Sequence, residues 1–392
     1  MSLTRFLPIP SDRMGILWTL LSIEDGVVLE YSPAGTTSYV KKAYGAMELD
    51  IKDRIFSTGM SKDDVVMGNT SILEEEIIRI DKELKPKVIF IMASTVSNVI
   101  GTDVKGVCLE LEDKVSAQLV IFTQGGFTAD FSKGRTIAFT QLVKELSLEK
   151  FEETDTYNIL GVSEVVHSSE KDIENIRAMM NKEFDMKENA ILSYDTTISK
   201  IKELSKAKIN LVLSYEALEA AKLLEKRFNT PYVYKLPVGN DTEWLSMINK
   251  AIGREKAIVE NTVSNIFDNN IKAVVYSSFD RGIALANYIE KLGVEVLNII
   301  TTHKINTIKN ISKSENLIYL KDEGAKLEYF KGLENTVVFG DNTISKSIDN
   351  TNTHVNIENL FLDIYKTEIS LMDEDIEGKI ISICKEHLNK SR

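Results

Sequence analysis

The chain has 392 residues, 43% apolar and 27% charged, with a formal charge of −12. That acid excess removes the basic face that nonspecific binding to nucleic acid or to an anionic membrane needs. No run of about 18 apolar residues offers a transmembrane helix, and at roughly 150 residues per domain the length implies two or three domains.

Two cysteines, Cys108 and Cys384, stand far apart, and no CxxC, CxxH or HxxxH occurs. Local zinc and iron–sulfur motifs are therefore absent. The first residues, "MSLTRFLPIPSDR", lack the apolar core of a signal peptide, so the expected compartment is the cytoplasm. Six prolines leave little room for disordered linkers.

In chain order, "GVVLEY" reads as a strand running into the turn "SPAGTTSY". Residues 71–86 read as a helix stopped at Pro86, 87–94 as a buried strand, 103–115 as a helix, 117–124 as a strand and 132–147 as a helix. A second unit alternates strands at 157–164, 189–195, 209–214 and 231–237 with helices at 170–184, 196–207, 215–228 and 242–253. A third opens with the strand 271–278, the helix 280–293 and the strand 294–303. It continues through "NLIYL" and "NTVVFG" to a C-terminal helix. Strand–helix alternation repeated three times predicts an α/β chain of three doubly wound, Rossmann-like domains with mostly parallel sheets around a central cleft. The expected boundaries are 1–150, 151–255 and 256–392.

Ligands of such folds bind beyond the carboxyl ends of strands. Those positions hold Pro33, Gly35 and Thr36 after the first strand and Thr95 after the second. Gln124 and Gly126 follow the third, and Ser214 follows a strand of the second unit. Glycine and serine also simply terminate strands, and neither GxGxxG nor a Walker A sequence is present. Cys108 reads as a core residue and Cys384 as structural. His167, His303 and His354 follow or lie near strands, and His387 falls in the polar end of the last helix and is expected in solvent. The acidic runs "DDVV" and "LEEEII" read as solvated helix faces. "FDRG" reads as a helix start with Asp280 as N-cap, or as a phosphate-binding turn. No catalytic constellation emerges.

Several motifs together resemble the component 1 family of nitrogenases and nitrogenase-like reductases. They are "LEYSPAGT", "STGMSKDDVVMG", "PKVIFIMASTVSNVIGTDVKGV", "TQGGF", "NILG" and "AKINLVLSYEALEAAKLLEKRFNTPYVYKLPVG", with a fainter "VVYSSFDRGIALANYIEKLGVEV". The family includes dinitrogenase subunits, cofactor-assembly scaffolds and protochlorophyllide reductases. In it the first loop ends "PxGC", whose cysteine ligates an iron–sulfur cluster at a subunit interface; that position is Thr36 here. The resemblance places further cluster ligands at Thr95 and Gln124, and the dinitrogenase cofactor thiolate at Ser214. All four positions have lost sulfur, and hydroxyl or amide oxygen is a weak ligand for soft iron. No cofactor is therefore expected on this chain alone, except an iron–sulfur cluster shared with a partner chain.

Three readings follow from the resemblance. In one, the chain is the ligand-poor partner of a paralogous sister subunit, fed by an ATP-dependent iron protein and acting on a tetrapyrrole or a metal-cofactor-like substrate. In another, it is a non-redox homologue that binds a small anionic or tetrapyrrole-like ligand in the interdomain cleft. In the third, it is a structural or regulatory partner. All three expect an oligomer, or a small-molecule ligand, and neither nucleic acid nor membrane.

Overall fold

The computed structural model describes residues 9–46, 51, 53–123, 129–162, 169–255, 258, 264–302, 316–320, 322–358 and 369–390. These residues build three separate sheets in which every strand pairing is parallel. The first runs β2 (Ile55–Ser57), β1 (Gly26–Tyr31), β3 (Val88–Ala93), β4 (Gln118–Phe122). The second repeats that order with β6 (Lys187–Leu192), β5 (Thr154–Leu160), β7 (Ala207–Val212) and β8 (Tyr232–Tyr234). The third runs β11 (Leu317–Ile318), β10 (Val294–Thr301), β9 (Ile271–Ser277), β12 (Thr336–Gly340), β13 (Thr353–Asn356).

The apolar runs are continuous because the sheets are covered on both faces. All six residues of β3 are buried. Val88, Phe90 and Met92 face Trp18, Phe131 and Phe139, whereas Ile89 and Ile91 face Leu73, Ile77 and Cys108. The covering helices are α1 (Asp12–Leu20) and α7 (Phe131–Leu146) on one side, and α4 (Ser71–Leu84) and α6 (Val104–Leu111) on the other.

Helix α7 is the central strut. It packs against α1, α9 (Ile198–Lys202) and α10 (Leu218–Phe228), and its core cluster continues into residues of all three sheets. Its crossing with α1 is backbone-close: a Cβ on Gly15 would lie 1.9 Å from the Phe131 carbonyl oxygen, and one on Gly134 would lie 1.9 Å from that of Asp12.

Strand order reverses between β1 and β3, between β5 and β7, and between β9 and β12. In doubly wound sheets, ligand crevices form at such switch points, beyond the strands' carboxyl ends. Three differences from the sequence expectation are local. The helix expected at 196–207 is α9 followed by a 3₁₀ turn, Leu204–Lys206. The helix expected from 215 begins as a 3₁₀ turn, Tyr215–Ala217. Helix α12 (Phe279–Lys291) has Ser278 at its N-cap, not Asp280. No helix among the described residues is long and apolar enough to cross a membrane.

Candidate functional site

Two places gather the residues singled out from the sequence. The first is the carboxyl edge of the first sheet. Pro33 is half-buried, while Gly35 and Thr36 are exposed at the start of α2 (Ala34–Ala46). Thr95 opens the short helix α5 (Thr95–Val99), capped by the Ser94 hydroxyl on the Ser97 N–H at 3.2 Å. Neighbouring loops are tied to these. The Ser32 carbonyl accepts from Met60 N at 3.1 Å and from Ser57 Oγ at 2.8 Å. The Tyr31 hydroxyl donates to the Asn69 carbonyl at 2.6 Å. Gln124 and Gly126 lie outside the described residues, as do His167 and His303.

An iron–sulfur cluster does not fit what is present at this edge. Thr36 Oγ1 already donates to the Pro33 carbonyl at 2.7 Å. The adjacent Thr37 turns inward, donating at 2.7 Å to Glu30, whose carboxylate also receives the Arg13 guanidinium Nε at 2.8 Å. Both thiols are buried in other cores, Cys108 on α6 and Cys384 on α14 (Ile376–Lys390). Among the described residues no group of three His, Cys, Asp or Glu could hold a metal.

The second place is the junction of the three sheets, where Ser214 lies. Gly161, just after β5, has φ +93°, and a Cβ there would come within 2.5 Å of Ser214 Oγ, so the two strand ends abut. Helix α7 brings Arg135, which is 1% exposed. Its Nη2 donates to the Gly161 carbonyl at 3.2 Å and its Nη1 lies 3.6 Å from Glu216. Helix α12 brings Asp280 and Arg281. Asp280 accepts from Tyr215 N at 2.9 Å and from the Tyr234 hydroxyl at 2.5 Å. Arg281 pairs with Asp172 at 3.0 Å and donates to the Ile357 carbonyl at 3.3 Å. Burial, with the nearby carboxylates adding, pushes the Tyr215 and Tyr234 phenols well up, so both remain neutral.

The N-terminus of α12 does attract an anion, but an internal one. Glu358, fully buried, accepts from Ser278 N at 2.9 Å and Ser278 Oγ at 2.6 Å, and from Ser277 Oγ. The phosphate reading of "FDRG" is thus filled by the chain itself. Between Arg135, Ser214, Arg281 and their neighbours remains a crevice of about 540 Å³, part of it open to solvent. Arg135 Nε, Arg281 Nη2 and Ser214 Oγ are buried without a hydrogen-bond partner among the described residues.

Sequence reasoning missed Arg135, Glu216, Asp172, Arg281 and Glu358. A signal for the arginines exists: Arg135 sits on the stripe Phe131, Arg135, Ala138, Leu142, a charge at an apolar helical spacing. Of the histidines, His354 Nε2 lies 3.0 Å from the Asp341 carbonyl. His387 corrects an expectation. It is 2% exposed, not in solvent, because α14 turns it toward Thr353, 2.9 Å away.

The family model described as "Nitrogenase component 1 type Oxidoreductase" matches residues 11–369. The chain is 30% identical over 217 residues to the nitrogenase iron-molybdenum cofactor biosynthesis protein NifE of Clostridium pasteurianum, covering 54% of this chain and 46% of that protein. It is 23% identical over 263 residues to a light-independent protochlorophyllide reductase chain of Heliobacterium modesticaldum, covering 60% of this chain and 48% of that protein. The chain thus spans about half the length of these relatives. The solved structure "Nitrogenase Cp1 at pH 6.5" superimposes with a TM-score of 0.74 at 15% identity, covering all of this chain and 96% of the other, which shows the shared fold. With its three parallel sheets and a family match across nearly its whole length, the chain belongs to the nitrogenase component 1 type oxidoreductase family.

Proposed function

We propose that this chain is the ligand-poor subunit of a nitrogenase-like complex in the cytoplasm. A paralogous sister supplies the thiolates for any cluster, and an ATP-dependent iron protein supplies electrons. The observation that carries this reading is a set of large apolar side chains left exposed on the helices that follow strands of the first sheet. Tyr39 is 65% exposed, Val66 81%, Met67 80% and Val99 82%. They belong to α2, to α3 (Lys62–Met67) and to α5, the helices that follow β1, β2 and β3 beside Gly35, Thr36 and Thr95. Large apolar side chains left exposed on three such helices suit a surface that another chain covers. The substrate in this reading, a tetrapyrrole or a metal cofactor, sits against that face or between the chains.

The test is the amount of iron and acid-labile sulfide in the complex purified without oxygen from the source organism. A cluster's worth of both, together with a cysteine-bearing sister chain, is the expected result. A lone chain without iron sinks the redox reading.

A second reading is supported by the junction: a non-redox homologue that binds a small anionic ligand between the domains. The buried donors of Arg135, Arg281 and Ser214, unmatched among the described residues, favour it.

A further inference from the structure

We propose that the junction crevice is a binding site for a small monocarboxylate with a short alkyl tail. The inference rests on the second reading above and names its ligand class. Three hydrogen-bond donors from three parts of the chain are unmatched there among the described residues: Arg135 Nε on α7, Ser214 Oγ after β7 and Arg281 Nη2 on α12. Their residues are 1%, 5% and 2% exposed, so bulk water does not serve them. Leaving buried donors unmatched is costly, and guanidinium groups favour a planar acceptor with two oxygens.

The charges around the crevice narrow the choice. Three carboxylates line it, and each already has partners: Asp172 holds Arg281 and Ser370, Glu216 faces Arg135, and Asp280 holds Tyr215 N and Tyr234. The unused capacity among the described residues there is donor capacity, which disfavours a metal ion. The same three carboxylates repel a dianion such as sulfate or phosphate more than a monoanion. The three donor-bearing residues all line this one crevice. The walls leading out of it are apolar, from Val162, Ile173, Ile176, Leu213, Leu236 and Met372, and suit a short alkyl tail.

The experiment is calorimetric titration of the full chain with acetate and butyrate, with sulfate and chloride as controls. Saturable one-to-one binding is expected for both carboxylates, tighter for butyrate, and none for sulfate. Ser214→Ala only removes an atom from the crevice, so the fold is retained; it should weaken butyrate at least about fivefold, and Arg281→Lys at least about tenfold. Absence of carboxylate binding, equal affinity in both variants, or only ordered water in the crevice of crystals grown with saturating butyrate overturns the proposal. Mass spectrometry of small molecules released from the chain as purified from its source separates the two levels. A released ligand, with no carboxylate binding at the crevice, overturns this site but leaves the binding-module reading standing. Crevice binding in a chain that co-purifies with a cluster-bearing sister supports the site and removes that reading.

Discussion

Glu358 and Ser278 form a closed internal cap: one carboxylate takes both the backbone N–H and the hydroxyl of the residue that precedes α12. The carboxylate is fully buried, and Ser277 adds a third donor. It therefore holds the loop after β13 onto the end of β9 across the switch point of the third sheet. Glu358→Ala leaves three buried donors without an acceptor and should cost about 3 kcal/mol or more in urea unfolding. Glu358→Gln keeps one acceptor oxygen and should cost clearly less. Equal stability of Glu358→Ala and the unaltered chain would show that water replaces the carboxylate at no cost.

Much of this architecture is legible because a doubly covered strand is apolar along most of its length. "VVLEY", "VIFIMA" and "IKAVVYS" announce β1, β3 and β9 without reference to anything distant. Helices α1 and α2 are hidden, since "DRMGILWTL" and "AGTTSYVKKAYGA" carry glycine, threonine and aromatic residues where a helix signal wants Ala, Leu and Glu. The loop positions at Thr36 and Ser214 could be found from their place after strands. Their partners could not: Asp172 and Arg281 are 109 residues apart, and nothing local marks them as a pair.

Thr36 and Thr37 separate a surface role from a structural one at adjacent positions. Thr37 is buried and donates to the Glu30 carboxylate that also anchors Arg13, so Thr37→Val should cost about 1–2 kcal/mol. Thr36 is exposed and its hydroxyl bonds within its own turn, so Thr36→Val should stay within about 0.5 kcal/mol. Paired denaturant curves decide this, and a larger loss at Thr36 contradicts the assignment.

The exposed face makes a separate prediction about assembly. Val66 and Met67 close the last turn of α3, where added cations suit the helix dipole. Val66→Lys and Met67→Lys should therefore leave the isolated chain within about 0.5 kcal/mol of its stability. In a pull-down from the source organism, the same changes should weaken partner retention at least about tenfold. Undiminished retention with both lysines in place means that the partner sits elsewhere.

His387 supplies a pH dependence whose sign is fixed by its burial. Desolvation lowers its pKa below the ordinary histidine value, Lys390 adds to the effect, and a hydrogen bond to the Asn335 backbone opposes it. The folded chain thus keeps the ring neutral while the unfolded chain takes up the proton first. The contribution to stability is whole above the unfolded value, about 6.5, and is lost as pH falls through the folded value. His387→Gln should flatten the fall in unfolding free energy as pH drops below the unfolded value. A variant with the unaltered slope assigns that fall to other groups.

The two cysteines test whether this chain can hold a cluster by itself. Burial pushes the thiols of Cys108 and Cys384 up to about 12, with Glu112 adding to the effect at Cys108. They lie in different cores, one packed with Val104 and Leu111, the other with Ile376 and Ile380. At pH 8 roughly one thiol in ten thousand is ionised at such a pKa, so neither is a nucleophile or a ready ligand. A thiol reagent should find no fast-reacting group in the folded chain and both cysteines after denaturation. Anaerobic reconstitution of the chain alone with iron and sulfide should leave no stoichiometric cluster after gel filtration. A stable cluster on the lone chain would mean that oxygen ligands at the Thr36 edge suffice for iron, against the softness argument.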